Sequence, residues 1–121
     1  MAKKVLVVDD EKDILKIVSF RVSSMGHNVT TAVNGREALD LIYKEKFDLI
    51  MLDLRMPIID GYEVCRTIKN DEKYKNIPVI LLTASSIGKI EERTKDYKAD
   101  GYLIKPFVWE ELQEKVNEFL T

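Results

Sequence analysis

The sequence predicts an α/β domain whose mostly parallel sheet is covered by helices on both faces, and three observations carry that prediction. Val5-Leu6-Val7-Val8, Leu49 to Leu54 and Val79-Ile80-Leu81-Leu82 are apolar runs, broken only at Asp53. They lack the alternation of a half-solvated strand and read as strands buried on both sides. Between them lie stretches with apolar residues at helical spacing, opened by capping residues, and this strand–helix alternation is the mark of βαβ units. The chain has 121 residues, 45% apolar and 33% charged, which suits one domain able to bury its own core without staples.

Taken in order, the first strand ends abruptly in Asp9-Asp10-Glu11. A helix follows with Ile14, Val18, Val22 and Met25 on one face and Gly26 as its stop. Val29 to Val33 is a second, less apolar strand, as expected of a sheet edge. Asn34-Gly35-Arg36-Glu37 places a capping residue three positions before Glu and opens a helix facing inward through Ala38, Leu41 and Ile42. The third strand carries Asp53 and ends in a Met56-Pro57 turn. Asp60-Gly61-Tyr62-Glu63 repeats the capping pattern ahead of Val64, Cys65 and Ile68. A polar loop through Asn76 leads to the fourth strand, Pro78 to Thr83, where the proline can sit only at the start. Ile87, Ile90 and Tyr97 form a thin apolar stripe on a helix over 85–97. Gly101 to Lys105 is a short fifth strand, and Trp109, Leu112, Val116 and Phe119 mark the closing helix.

Bulk properties exclude several classes. A net charge of −2 predicts neither nucleic-acid nor membrane attraction. A single Cys leaves no internal disulfide. Met-Ala-Lys-Lys leads straight into an apolar strand, too short for a signal-peptide core, and no stretch approaches a membrane span. The expectation is one domain over 1–121, in the cytoplasm.

In open parallel sheets, ligands gather outside the carboxyl ends of the strands. Asp9-Asp10, Asp53, Thr83 and Lys105 fall at those ends. Asp53 could also be a helix or turn cap, since Asp serves there too. Two negative charges 4 Å apart repel by about 4 kcal/mol at an effective dielectric near 20, so such a cluster needs a cation, a raised pKa, or both. Carboxylates without His or Cys suit hydrated Mg²⁺ better than zinc. The single His27, at a helix end far from the strand termini, reads as a surface loop residue. Met51, Tyr62, Cys65 and Trp109 read as packing residues, and Lys12, Lys16 and Arg21 as a solvated face.

Val8-Asp9-Asp10, Asp53, Met56-Pro57-Ile58-Ile59-Asp60-Gly61, Thr83-Ala84 and Lys105-Pro106-Phe107 together resemble the receiver domain of two-component response regulators. No single piece is specific; in this order, over essentially the whole chain, they are. The resemblance implies a flavodoxin-like sheet of strand order 2-1-3-4-5, an order carried over from a chemotaxis member of the family and not read from the residues. It implies that Asp53 takes a phosphoryl group from the phosphohistidine of a histidine kinase or phosphotransfer protein. Asp9, Asp10 and Asp53, with the backbone carbonyl of Arg55, would hold Mg²⁺. Lys105 would neutralise charge on the acyl phosphate, Thr83 would hydrogen-bond a phosphoryl oxygen, and Tyr102 would change rotamer on activation. Lys105-Pro106 would be a cis bond. Output would pass to a downstream protein through the face formed by the helix over 85–97, the fifth strand and the closing helix, with no direct nucleic-acid contact.

The chain also departs from the pattern. Val108 stands where such families often place a capping Asp, Ser or Thr. Arg55, a long cation, stands two residues past the acceptor, and the small Ala84 follows Thr83. The expected role is a phosphoacceptor switch with weak self-dephosphorylation, either as a single-domain regulator or as a receiver cut from a longer protein. An aspartyl-phosphate phosphohydrolase, the enzyme alternative, places a second acidic residue where Arg55 stands. A flavin or dinucleotide binder would need a Gly-rich turn after the first strand, where Asp9-Asp10-Glu11 would repel a phosphate.

Overall fold

The structure, a computed structural model, describes residues 2–84 and 98–120. Its elements run β1 (Lys4–Val8), α1 (Lys12–Ser24), β2 (Asn28–Ala32), α2 (Gly35–Lys44), β3 (Leu49–Asp53), α3 (Gly61–Lys69), β4 (Val79–Thr83), β5 (Gly101–Ile104) and α4 (Trp109–Leu120). The helix predicted over 85–97, with Ile87, Ile90 and Tyr97, lies outside the described residues.

The five strands form one parallel sheet in the order β2-β1-β3-β4-β5. β3 is central and buried at every residue, as is β4, which explains why both are apolar up to the closing Asp53 and Thr83. Strand alternation then sorts the core into two layers. Val5, Val7, Leu49, Met51, Ile80, Leu82 and Leu103 pack with Leu15, Val18 and Val22 of α1 and Leu112 and Val116 of α4. Leu6, Val8, Ile50, Leu52, Val79 and Leu81 face the other way, onto Ala38 and Ile42 of α2 and Val64, Cys65 and Ile68 of α3. β2 lies at the edge, with Asn28 and Thr31 exposed, as its weaker apolar character predicted.

Both predicted caps are present. The Asn34 side chain accepts from the Glu37 backbone N–H at 2.9 Å, and Glu37 in return accepts from the Val33 N–H at 3.1 Å. Asp60 accepts from the Glu63 N–H at 2.9 Å. Gly26, at φ +93°, ends α1 in the left-handed conformation that favours glycine. Observed and predicted elements differ at their margins. β2 runs one residue earlier than Val29–Val33, and β5 stops at Ile104, short of Lys105. The fully buried stripe of α1 is Leu15, Val18 and Val22, with Ile14 and Met25 only half-buried against it. In α2, Leu39 is buried and Leu41 half-buried. His27 is a half-buried loop residue whose Nδ1 accepts from the Lys3 backbone N–H at 3.2 Å.

Candidate functional site

Because parallel strands all point the same way, the register brings their carboxyl ends to one edge. Val8 pairs with Leu52, Asp53 with Leu82, and Thr83 with Ile104. Asp9, Asp53 and Lys105 continue the alternation of the α1/α4 face, and their side chains meet there. Lys105 Nζ donates to Asp9 Oδ2 at 2.8 Å and lies 3.4 Å from Asp53 Oδ1 and 3.6 Å from Glu11 Oε1. Asp9 is fully buried, and its Oδ1 accepts from the Glu11 backbone N–H at 2.9 Å, which fixes the carboxylate. The Lys105 backbone N–H donates to the Thr83 carbonyl at 2.6 Å, extending the ladder one residue past β5, and the Lys105-Pro106 peptide bond is cis.

Carboxylate oxygens of Asp9, Asp10 and Asp53 lie within 4.8 Å of one another, with Asp9 and Asp53 buried and Asp10 exposed. Burial, the charge of Asp9 and, to a lesser degree, that of Asp10 push the Asp53 carboxyl up to about 7, although Lys105 pulls the other way. Burial alone would lower the Lys105 pKa. The Asp9 hydrogen bond and the charges of Asp53, Asp9 and Glu11 outweigh it and hold the ammonium above its ordinary value. Three carboxylates against one ammonium leave the pocket with surplus negative charge. Its donor set is all oxygen, and Asp10 opens it to water. Those two properties fit a hard, hydrated divalent cation and not zinc.

Thr83 ends β4 buried, on the opposite alternation from Asp53, and half-buried Tyr102 packs on that same side from the neighbouring strand. Arg55 lies exposed on the loop between β3 and α3. The structure therefore gathers Asp9, Asp10, Asp53 and Lys105 into one cluster, sets Thr83 at the end of the adjoining β4 with Tyr102 set back inside β5 opposite Leu81, and leaves the Arg55 side chain exposed.

Two supporting residues escaped the sequence reading as site residues. Glu11 adds a third carboxylate near Lys105, and its place directly after Asp9-Asp10 was the available signal. Gly61 lets α3 start against the end of β3. A Cβ there would sit 2.1 Å from the Asp53 carbonyl oxygen, while the Gly61 N–H donates to the Leu54 carbonyl at 3.0 Å. Its signal was the glycine directly after the capping Asp60.

The sheet order and this acidic edge define a receiver, and the chain belongs to that family: residues 5–117 match the response regulator receiver domain. It is similar to the probable transcriptional regulator ycf27 of Guillardia theta, 42% identical over 98% of this chain and 45% of that one. The chain spans less than half the length of the curated relatives it matches. Among solved structures, the chemotaxis response regulator CheY4 of Vibrio cholerae superposes with a TM-score of 0.92 at 34% identity, covering 98% of this chain and 99% of that one. The receiver domain of the sensor histidine kinase PA1611 of Pseudomonas aeruginosa gives 0.90 at 28% identity, covering 99% and 98%, and is described with a magnesium ion in its active-site cleft.

Proposed function

We propose that this receiver is a phosphoacceptor switch in which Asp53 takes a phosphoryl group from the phosphohistidine of a histidine kinase or phosphotransfer protein. One observation carries the reading. Asp53 is the buried carboxylate at the end of the central strand, with an ammonium 3.4 Å away and two further carboxylates beside it. An Asp53 oxygen attacks phosphorus, the histidine N–P bond breaks, and the imidazole leaves to take up a proton. Phosphoryl transfer asks mainly for positioning and charge neutralisation. Asp9, Asp10, Asp53 and the Arg55 carbonyl would hold Mg²⁺, which when bound supplies positive charge that favours ionised carboxylates and neutralises phosphoryl oxygens. Lys105, held by Asp9, would add its own charge, and the Thr83 hydroxyl would offer a donor to a phosphoryl oxygen.

Thr83 and Tyr102, on one face of adjacent strands, are the pair that would report phosphorylation. The output face would comprise the segment 85–97, β5 and α4, recognised by a downstream protein in the cytoplasm without direct nucleic-acid contact. The chain would be a switch and not an enzyme, losing its phosphate only by slow self-hydrolysis.

Incubation with acetyl phosphate and Mg²⁺ should add one phosphoryl group by intact-mass spectrometry, and Asp53→Asn should abolish it. Equal labelling of the variant would overturn the assignment. Turnover of phosphate esters would favour a phosphohydrolase instead. Mg²⁺ at a hundredfold excess over its dissociation constant should stabilise the fold by about 2.7 kcal/mol. Asp10→Ala, a change at an exposed position, should remove most of that gain. A parent melting temperature indifferent to millimolar Mg²⁺ would contradict the metal site.

A further inference from the structure

The loop between β3 and α3 contains a residue that neither backbone nor burial favours. Ile58 has φ +72°, and the Ile59 N–H donates to the Pro57 carbonyl at 2.8 Å, closing a three-residue turn about it. A γ-turn of positive φ is rare and strained, and a β-branched side chain is among the least suited to it. Glycine or asparagine would occupy it at lower cost. Nor does burial compensate. Ile58 is 76% exposed, the highest value among the large apolar side chains of the described residues.

The turn is held on both sides. The Gly61 N–H donates to the Leu54 carbonyl at 3.0 Å. The Ile59 carbonyl approaches Gly35 so closely that a Cβ there would lie 2.0 Å from its oxygen. Ile58 is thus presented at a fixed place on the loop whose Leu54, Arg55, Met56 and Asp60 line, with Tyr62, a concavity of about 460 Å³. Backbone strain retained at a surface position points to function.

We infer that Ile58 is a specificity-determining residue for phosphoryl transfer, seated against the protein that brings phosphohistidine to Asp53. The inference rests on the phosphoacceptor reading above. The donor's phosphorus must come within about 3.5 Å of an Asp53 oxygen. Asp53 is only 6% exposed, so a protein that delivers an imidazole to it must lie on the surrounding rim. Ile58 stands on the loop that leaves Asp53, and covering it removes apolar surface from water. A small-molecule donor carries no protein surface to seat on Ile58.

The test compares the parent with Ile58→Asn and Ile58→Gly, both compatible with the positive φ. Two phosphodonors are used: acetyl phosphate, and whichever autophosphorylated histidine kinase of an ATP-labelled panel labels the parent fastest. Labelling by acetyl phosphate should stay within twofold of the parent, and the melting temperature should not fall. Transfer from the kinase should lose about tenfold in kcat/KM, mostly through KM. Kinase transfer within twofold of the parent in both variants would overturn the inference. An equal loss with acetyl phosphate would also overturn it, since Ile58 would then be shaping the pocket itself. Failure of acetyl phosphate to label the parent would instead bring down the phosphoacceptor reading.

Discussion

Lys69→Met should destabilise the fold by about 3 kcal/mol, the lower end of the range for removing one partner of a buried ion pair. Lys69 ends α3, and its ammonium is buried at the edge of the sheet opposite the acidic cluster. It donates to Asp100 Oδ2 at 2.6 Å, to the Ile77 carbonyl at 2.7 Å and to the Lys75 carbonyl at 3.0 Å. Asp100 Oδ2 also accepts from the Val79 N–H at 2.8 Å, and the Asp100 N–H donates to the Val79 carbonyl at 2.9 Å. One lysine therefore ties the end of α3, the loop after it, the start of β4 and the turn before β5. Met keeps the apolar stem and removes the charge, leaving two carbonyls and a carboxylate without their shared donor. The Asp100 side chain is 36% exposed, so water takes over part of its solvation and the loss stays at the low end. Thermal unfolding should shift down by about 12 °C for a domain of this size. A loss below about 0.5 kcal/mol would mean that the knot is ornamental. Asp100→Asn, which keeps an oxygen for Val79 and Lys69, should cost less than Lys69→Met.

Nothing in the sequence pointed to that knot. Lys69 closes an amphipathic helix where a solvated basic residue is ordinary, and its acceptors lie 6, 8 and 31 residues away, two of them backbone carbonyls. Long-range polar pairing of this kind leaves no periodicity to read. The strands were legible for the opposite reason. β3 and β4 are covered on both faces, so they stay apolar up to their last residues, and short connections force the alternation with helices. The acidic cluster followed from the same rule. Once the strands are parallel, Asp9, Asp53 and Lys105 must come to one edge, however far apart they are in the chain. The details that escaped are local. The stripe of α1 is centred on Leu15 and not on Ile14, because the helix rotates to lay Leu15, Val18 and Val22 onto β1 and β3. The positive φ of Ile58 was hidden because the residue there is not one that advertises it.

Asp53→Asn should make the metal-free protein more stable above neutral pH and leave it little changed near pH 4. Burial, together with the Asp9 charge, raises the Asp53 carboxyl from 3.8 to about 7 in the folded state. The folded protein therefore holds this proton more tightly than the unfolded chain does. Between about pH 4 and pH 7 the folded state carries the proton and the unfolded state has lost it, so stability falls as pH rises and levels off above the folded pKa. A shift of about three units corresponds to about 4 kcal/mol at most, and partial relaxation of the pocket makes half of that a fair expectation. Asn removes the ionisation and nearly preserves the shape, so its advantage should appear between pH 5 and 8 and saturate beyond. Lys105 leaves this window undisturbed. Its raised pKa keeps it charged throughout, and the stability it supplies is lost only at higher, alkaline pH. Urea titrations in EDTA at pH 4.5, 6, 7 and 8 read the difference directly. Added Mg²⁺ should reverse the order at pH 8, because the cation favours the ionised parent carboxylate that the variant lacks. An Asn variant less stable than the parent at pH 8 in EDTA would show that the ion pair with Lys105 outweighs the burial of the charge.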